Sequence, residues 1–222
     1  MNTTYNQVCS FGPFCHTGNL LQRLNIKIVS FPFDWLCTTP LIISDCIEDN
    51  FQLFLDKTYY IVNEEENHIV HKYYADKYNF GKAFFAHSNP LQSETYEYFE
   101  RCIGRFGLLL KCPDKKLFVV SYMVTYTETV DPDFLSNIRR LNETLSKTTT
   151  NYDILCIVHT PHQSTQSFRI EKTDDNMIFL YLDTFSISHG VFFLDETDNS
   201  FLENIMNTHF SFDVQNIYEY YK

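Results

Sequence analysis

Apolar residues recur along this chain in two rhythms. Short continuous runs, such as Leu117-Phe118-Val119-Val120 and Ile154-Leu155-Cys156-Ile157-Val158, have the length of strands buried on both faces. Between them lie stretches with apolar positions three and four apart. Tyr96, Phe99, Ile103, Phe106 and Leu110 mark the buried stripe of a helix over residues 93–110. The same reading predicts strands over 5–10, 117–124, 154–158, 166–170 and 177–182, and helices over 15–24, 40–55, 133–145 and 201–207. Thr39 caps the second helix with Pro40 in its first turn, Asp131-Pro132 opens the 133–145 helix, and Thr173-Asp174-Asp175-Asn176 turns between two strands. The runs 58–62 and 68–73 enclose Asn63-Glu64-Glu65-Glu66-Asn67 and predict a hairpin with an acidic tip, with His68 and His71 at the surface.

Buried strands alternating with amphipathic helices predict an α/β domain, a layered and mostly parallel sheet with helices on both faces. At 222 residues, without repeats or a Gly/Pro/Ser-rich linker, the chain fits a single domain carrying a hairpin insertion near 58–75. Acidic residues number 28 against 17 basic, a formal charge of −11 with no basic block, so nucleic acid is not an expected partner. The longest apolar runs fall far short of the ~20 residues that span a bilayer, and no membrane association is expected. The first residues lack the basic start and apolar core of a secretory signal, which predicts a cytoplasmic protein. Seven cysteines, scattered rather than spaced as staples, are then reduced thiols and mostly buried.

One cysteine stands apart. Gly12-Pro13-Phe14 follows the first strand, and Cys15-His16 opens the first helix. A thiol there meets the positive end of the helix, which predicts a pKa below the ordinary ~8.5. It also sits at the carboxyl end of a strand, where sites in α/β sheets form, with N–H groups of residues 14–17 near enough to hold an oxyanion. A thiol nucleophile needs a base. His87 ends the apolar run Phe84-Phe85-Ala86 and is followed by Ser88-Asn89, so its ring is expected to emerge from a strand end; His159, ending the 154–158 strand, is its rival. His16 diverges from Cys15 by ~100° on the helix, which disfavours it as a partner. Cys156-x-x-His159-x-x-His162 is not expected to bind metal, because strand residues three apart face opposite ways and a fourth ligand is missing. No phosphate-binding or dinucleotide glycine motif occurs.

Cys9-Ser10-Phe11-Gly12-x-x-Cys15-His16, Ser30-Phe31-Pro32-Phe33-Asp34-Trp35, Asp49-Asn50-Phe51-x-x-Phe54 and Phe85-Ala86-His87 together resemble the papain-like cysteine peptidase family of large DNA viruses and bacteria. The likeness continues through Arg101-Cys102-Ile103-Gly104-Arg105-Phe106 and Leu117-Phe118-Val119-Val120. It implies Cys15 as nucleophile, His87 as base and Asp34 as the group orienting the histidine or shaping the pocket. It also implies a papain-like α+β fold as the alternative architecture and, for a viral chain, the host cytoplasm. The cysteine turn is similar as well to that of bacterial capsule polysaccharide acetyltransferases, which use acyl-coenzyme A.

The expectation is thus a cysteine-nucleophile acyl-transfer enzyme acting on a peptide or on an acylated small molecule or glycan. Hydrolysis requires no cofactor, whereas transfer would draw on acyl-coenzyme A. His16, Trp35, Asn89 and His159 are the candidates for contacting substrate. The alternative is a non-catalytic interaction module or an inactive relative.

Overall fold

A computed structural model describes residues 3–63, 68–79, 84–85, 87–125 and 133–214. The chain starts with β1 (Thr4–Tyr5) and β2 (Gln7–Ser10), then α1 (Cys15–Arg23), α2 (Pro40–Glu48) and the one-turn α3 (Gln52–Leu55). A hairpin of β3 (Tyr60–Asn63) and β4 (His68–His71) precedes α4 (Lys72–Tyr78) and the long α5 (Ser93–Lys111). Next come β5 (Lys116–Tyr122), α6 (Phe134–Thr148), β6 (Tyr152–Thr160), β7 (Ser167–Lys172), β8 (Met177–Asp183), α7 (Glu196–His209) and β9 (Ser211–Phe212).

Five strands form the main sheet in the order β2-β5-β6-β8-β7, all parallel except β7, which runs antiparallel to β8. Their alternating side chains feed two cores. Phe118, Val120, Ile154 and Cys156 pack with residues of α2, α5 and α6, whereas Leu117, Val119, Leu155 and Ile157 pack with residues of α1 and α7. This is the layered α/β arrangement that the apolar runs predict, and the α+β alternative does not describe it. Outside the main sheet, β1 pairs with β9 and β3 with β4.

Three expectations need correction. The helix predicted over 40–55 ends at Glu48, because Asn50 and Phe51 take left-handed conformations (φ 53° and 61°) before α3 begins. Such residues cost roughly 1–2 kcal/mol each. Burying the Phe51 ring against Phe33, Phe54 and Phe106 returns ~1.5–3 kcal/mol. Asp49 Oδ2 accepts the Leu53 N–H at 2.9 Å and starts the new turn.

His71 is buried rather than on the surface. The hairpin folds back onto α3, so that His71 Nε2 donates to the Leu53 carbonyl at 3.0 Å while the rings of Tyr59, Tyr60, Tyr74 and Phe84 surround it. Burial pushes its pKa down to about 4. The run ending at His87 is not a strand of the main sheet. Phe85 makes an isolated bridge to Ile69 of the hairpin, and His87 stands in the turn that follows. The acidic tip at 64–67, Ala86 and Asp131-Pro132 lie outside the described residues.

Candidate functional site

The turn after β2 is fastened on three sides. Phe11 N–H donates to the Val119 carbonyl at 2.8 Å, and the Gly12 carbonyl accepts from Ser121 N–H at 3.1 Å and from Thr17 Oγ1 at 3.0 Å. Gly12 has φ +68°, and a Cβ there would lie 2.6 Å from Thr38 Oγ1. Only glycine suits that position. The N-cap of α1 is Phe14, which makes no side-chain cap hydrogen bond, and Cys15 is the first helical residue.

The following corner packs against the same helix. Asp34 Oδ2 accepts the Phe31 N–H at 2.9 Å and pairs with Lys27 Nζ at 2.9 Å. Its carboxylate therefore binds the corner together, and half-buried Trp35 lies under Lys27, 5.6 Å from the ring centroid. Cys37 N–H donates to the Phe84 carbonyl at 3.2 Å, and Phe85 N–H to the Ile69 carbonyl at 3.2 Å. These bonds carry the segment leading to His87 up to the turn that carries Cys15.

The result is a cavity of about 330 Å³ at the carboxyl rim of the parallel strands. Phe14, Cys15, Cys37 and His87 form one side, with Thr125 following β5 and residues 188–191 following β8 on the other. Cys15 is only 4% exposed. Burial pushes its thiol up to about 11; its own backbone N–H pulls the other way, and the negative charge of Asp34 adds to the rise. The low pKa expected from the helix terminus is thus overturned by desolvation.

The remaining candidates go elsewhere. His16 points into the opposite layer, where its Nδ1 lies 2.8 Å from Ser188 Oγ and its ring 4.6 Å from Phe193. Val124 N–H donates to His159 Nδ1 at 3.1 Å, which leaves the proton on Nε2 to donate to Thr184 Oγ1 at 2.7 Å. The His159 ring stands 4.8 Å from the same Phe193. Burial lowers the pKa of His16 to about 3 and that of His159 to about 4. Both are neutral imidazoles gripping the segment 184–193 from behind. Asn89 lines a second cavity, and His87 lines both.

Of the candidates named from sequence, Cys15 and His87 line this cavity, and it also takes Cys37, Thr125, His189 and Gly190. His189 N–H donates to the Phe192 carbonyl at 2.7 Å, and Ser188 N–H to the Val124 carbonyl at 2.9 Å. The available signal was positional: residues just past the carboxyl ends of parallel strands reach the site whatever their local composition. Among the described residues no group of three His, Cys, Asp or Glu is placed to hold a metal ion.

The signature of family DUF1796, described as "putative papain-like cysteine peptidase", matches residues 6–162. The chain belongs to that family. No curated protein and no solved structure matches it. The family span contains Cys15, Asp34 and His87, and stops short of residues 188–191, which close the cavity. No helix among the described residues is long and apolar enough to cross a membrane.

Proposed function

We propose that the protein is a cysteine-dependent acyl-transfer enzyme with its reaction centre in the Cys15 cavity. The observation that carries this reading is that Cys15 and His87, from distant parts of the chain, line one cavity at the carboxyl rim of the sheet. Cys15 Sγ attacks a carbonyl carbon, and His87 takes the thiol proton and delivers it to the leaving group. Water or another acceptor then attacks the thioester, returning a proton to sulfur through the same ring. A thiol titrating at about 11 is protonated at rest, so it needs a base as the attack proceeds. First-turn N–H groups of α1 stabilise the oxyanion, since Phe14 brings no side-chain oxygen to occupy them. Asp34 acts as a positioning residue through the corner against α1.

An amide or ester substrate suits this cavity better than acyl-coenzyme A. Its lining among the described residues includes no lysine or arginine to meet the coenzyme's phosphates.

The test compares wild type with Cys15→Ala and His87→Ala using a fluorogenic peptide, p-nitrophenyl acetate, acetyl-coenzyme A and a thiol-reactive peptide aldehyde. Cys15→Ala is expected to abolish turnover and aldehyde capture, and His87→Ala to slow turnover by ~10²–10⁴-fold. His189→Ala serves as the comparison, because His189 lines the same cavity. The burial of Cys15 is what favours the second reading, an inactive relative. Identical behaviour of wild type and Cys15→Ala toward all four reagents would establish it.

A further inference from the structure

His87 is shared by two cavities. On the side away from Cys15 it borders a space of about 350 Å³ against the β3–β4 hairpin. That volume lies at the low end of small-ligand sites, ~300–1,000 Å³, and suits one residue-sized group. Its apolar members are Val62, Ile69 and Phe85, and its polar members besides His87 are His68, Ser88 and Asn89. Carboxylates, lysines and arginines are absent from this lining among the described residues.

Both sides of this space are held. Phe85 N–H bonds the Ile69 carbonyl at 3.2 Å, joining the segment before His87 to the hairpin. After His87, Asn89 Oδ1 accepts the Leu91 N–H at 3.0 Å, and the Asn89 carbonyl accepts the Gln92 N–H at 3.0 Å at the start of α5. The cavity is therefore bounded by the hairpin on one side and by the turn leading into α5 on the other.

In acyl transfer the two halves of the substrate part at the carbonyl. The half that leaves is the one that receives the proton from the base, so it lies on the base's side. A base standing between two cavities thus divides them by role. Resting on the reading of Cys15 and His87 given above, the geometry points to the hairpin-side cavity as the leaving-group and acceptor subsite, taking a neutral amine with a short apolar side chain, such as the amino side of a peptide bond. In the forward direction the C–S bond forms, the C–N bond breaks, and the thiol proton passes through His87 to the departing nitrogen. In the reverse direction an amine attacks the thioester, the C–N bond forms, the C–S bond breaks, and the amine's proton returns through His87 to sulfur. No electron acceptor or donor is required. An anionic acceptor is disfavoured by the formal charge of −11, and the described lining residues offer no lysine or arginine to offset it.

Valinamide is the probe, with O-phosphoserine amide as the anionic comparison. Titrated into ¹⁵N-labelled protein, valinamide is expected to shift the amides of His68, Ser88 and Asn89 saturably, in wild type and in Cys15→Ala alike. Val62→Trp, which fills the mouth of the cavity at a half-exposed position, should weaken that binding about tenfold or more, whereas Leu108→Trp on the exposed side of α5 should not. With p-nitrophenyl acetate as acyl donor, wild type should form N-acetylvalinamide with the same saturation, and Cys15→Ala should not. Shifts that are absent, that ignore Val62→Trp, or that are matched by O-phosphoserine amide overturn the subsite. Saturable binding without N-acetylvalinamide, in an enzyme that still hydrolyses the ester, overturns its role as acceptor site. Product that persists in Cys15→Ala overturns the nucleophile instead, while the binding shifts stay as they are.

Discussion

Desolvation decides the chemistry of Cys15. A helix N-terminus favours a thiolate by a fraction of a charge, but taking the sulfur almost entirely out of water disfavours it more, and the thiol rises to about 11. Alkylation of Cys15 by iodoacetamide, followed by mass spectrometry, is expected to accelerate with pH well past ~8.5, the ordinary cysteine value, and to level off only near 11. A plateau at neutral pH would contradict the buried thiol. Gly18 makes a second argument at this scale. A Cβ there would sit 2.5 Å from the Asp34 carbonyl oxygen, a backbone atom that cannot swing aside. Gly18→Ala should therefore push α1 off the corner and cost ~1–3 kcal/mol, read as a lower urea midpoint at unchanged slope.

Among the elements, α7 does more than cover the sheet. Asp198, buried within it, accepts Phe185 N–H at 3.1 Å, Ser186 N–H at 2.8 Å and Ser186 Oγ at 2.7 Å. One carboxylate thus ties down the segment that leads to the cavity wall. Asp198→Ala is expected to cost on the order of 3 kcal/mol and to open residues 184–194 to limited proteolysis, while Asp198→Asn retains part of the protection. Nothing in the sequence pattern distinguishes Asp198 from other helical acids. What is legible in sequence is whatever repeats or is locally encoded: the strands feeding the two cores, the α5 stripe, the Thr39-Pro40 cap, the Gly12 turn before Cys15. The break at Asn50-Phe51 is not, because it depends on aromatic partners far along the chain. Nor is the path of residues 184–194, where alternation stops and tertiary hydrogen bonds decide. The strand end expected at His87 is not there either, because Phe85 makes only an isolated bridge to Ile69 and His87 stands in the turn after it.

For the whole molecule, three buried neutral histidines set the response to acid. His16 titrates at about 3, His71 and His159 at about 4, against ~6.5 in the unfolded chain. The unfolded state then binds more protons below pH ~6.5, so their stabilising contribution is whole above that pH and is lost as the pH falls toward 4. The thermal midpoint should drop steadily between pH 6.5 and 4.5, and His71→Phe should make that fall shallower by about one proton. Cys15 works at the other end: its raised pKa stabilises the fold below ~8.5 and is lost as pH climbs toward 11.

The adjacency of Cys15 and His16 has a practical corollary. One turn of α1 sends a sulfur into the cavity and an imidazole into the opposite layer, where it reaches Ser188 at the base of the far wall. A histidine scan of this protein should therefore return two classes of silent variant. On the function proposed above, loss of His87 removes the proton carrier and leaves the vessel intact, whereas loss of His16 or His159 lets the vessel's wall go slack. Activity alone scores them the same, and only a melting curve beside each rate tells the chemist from the mason.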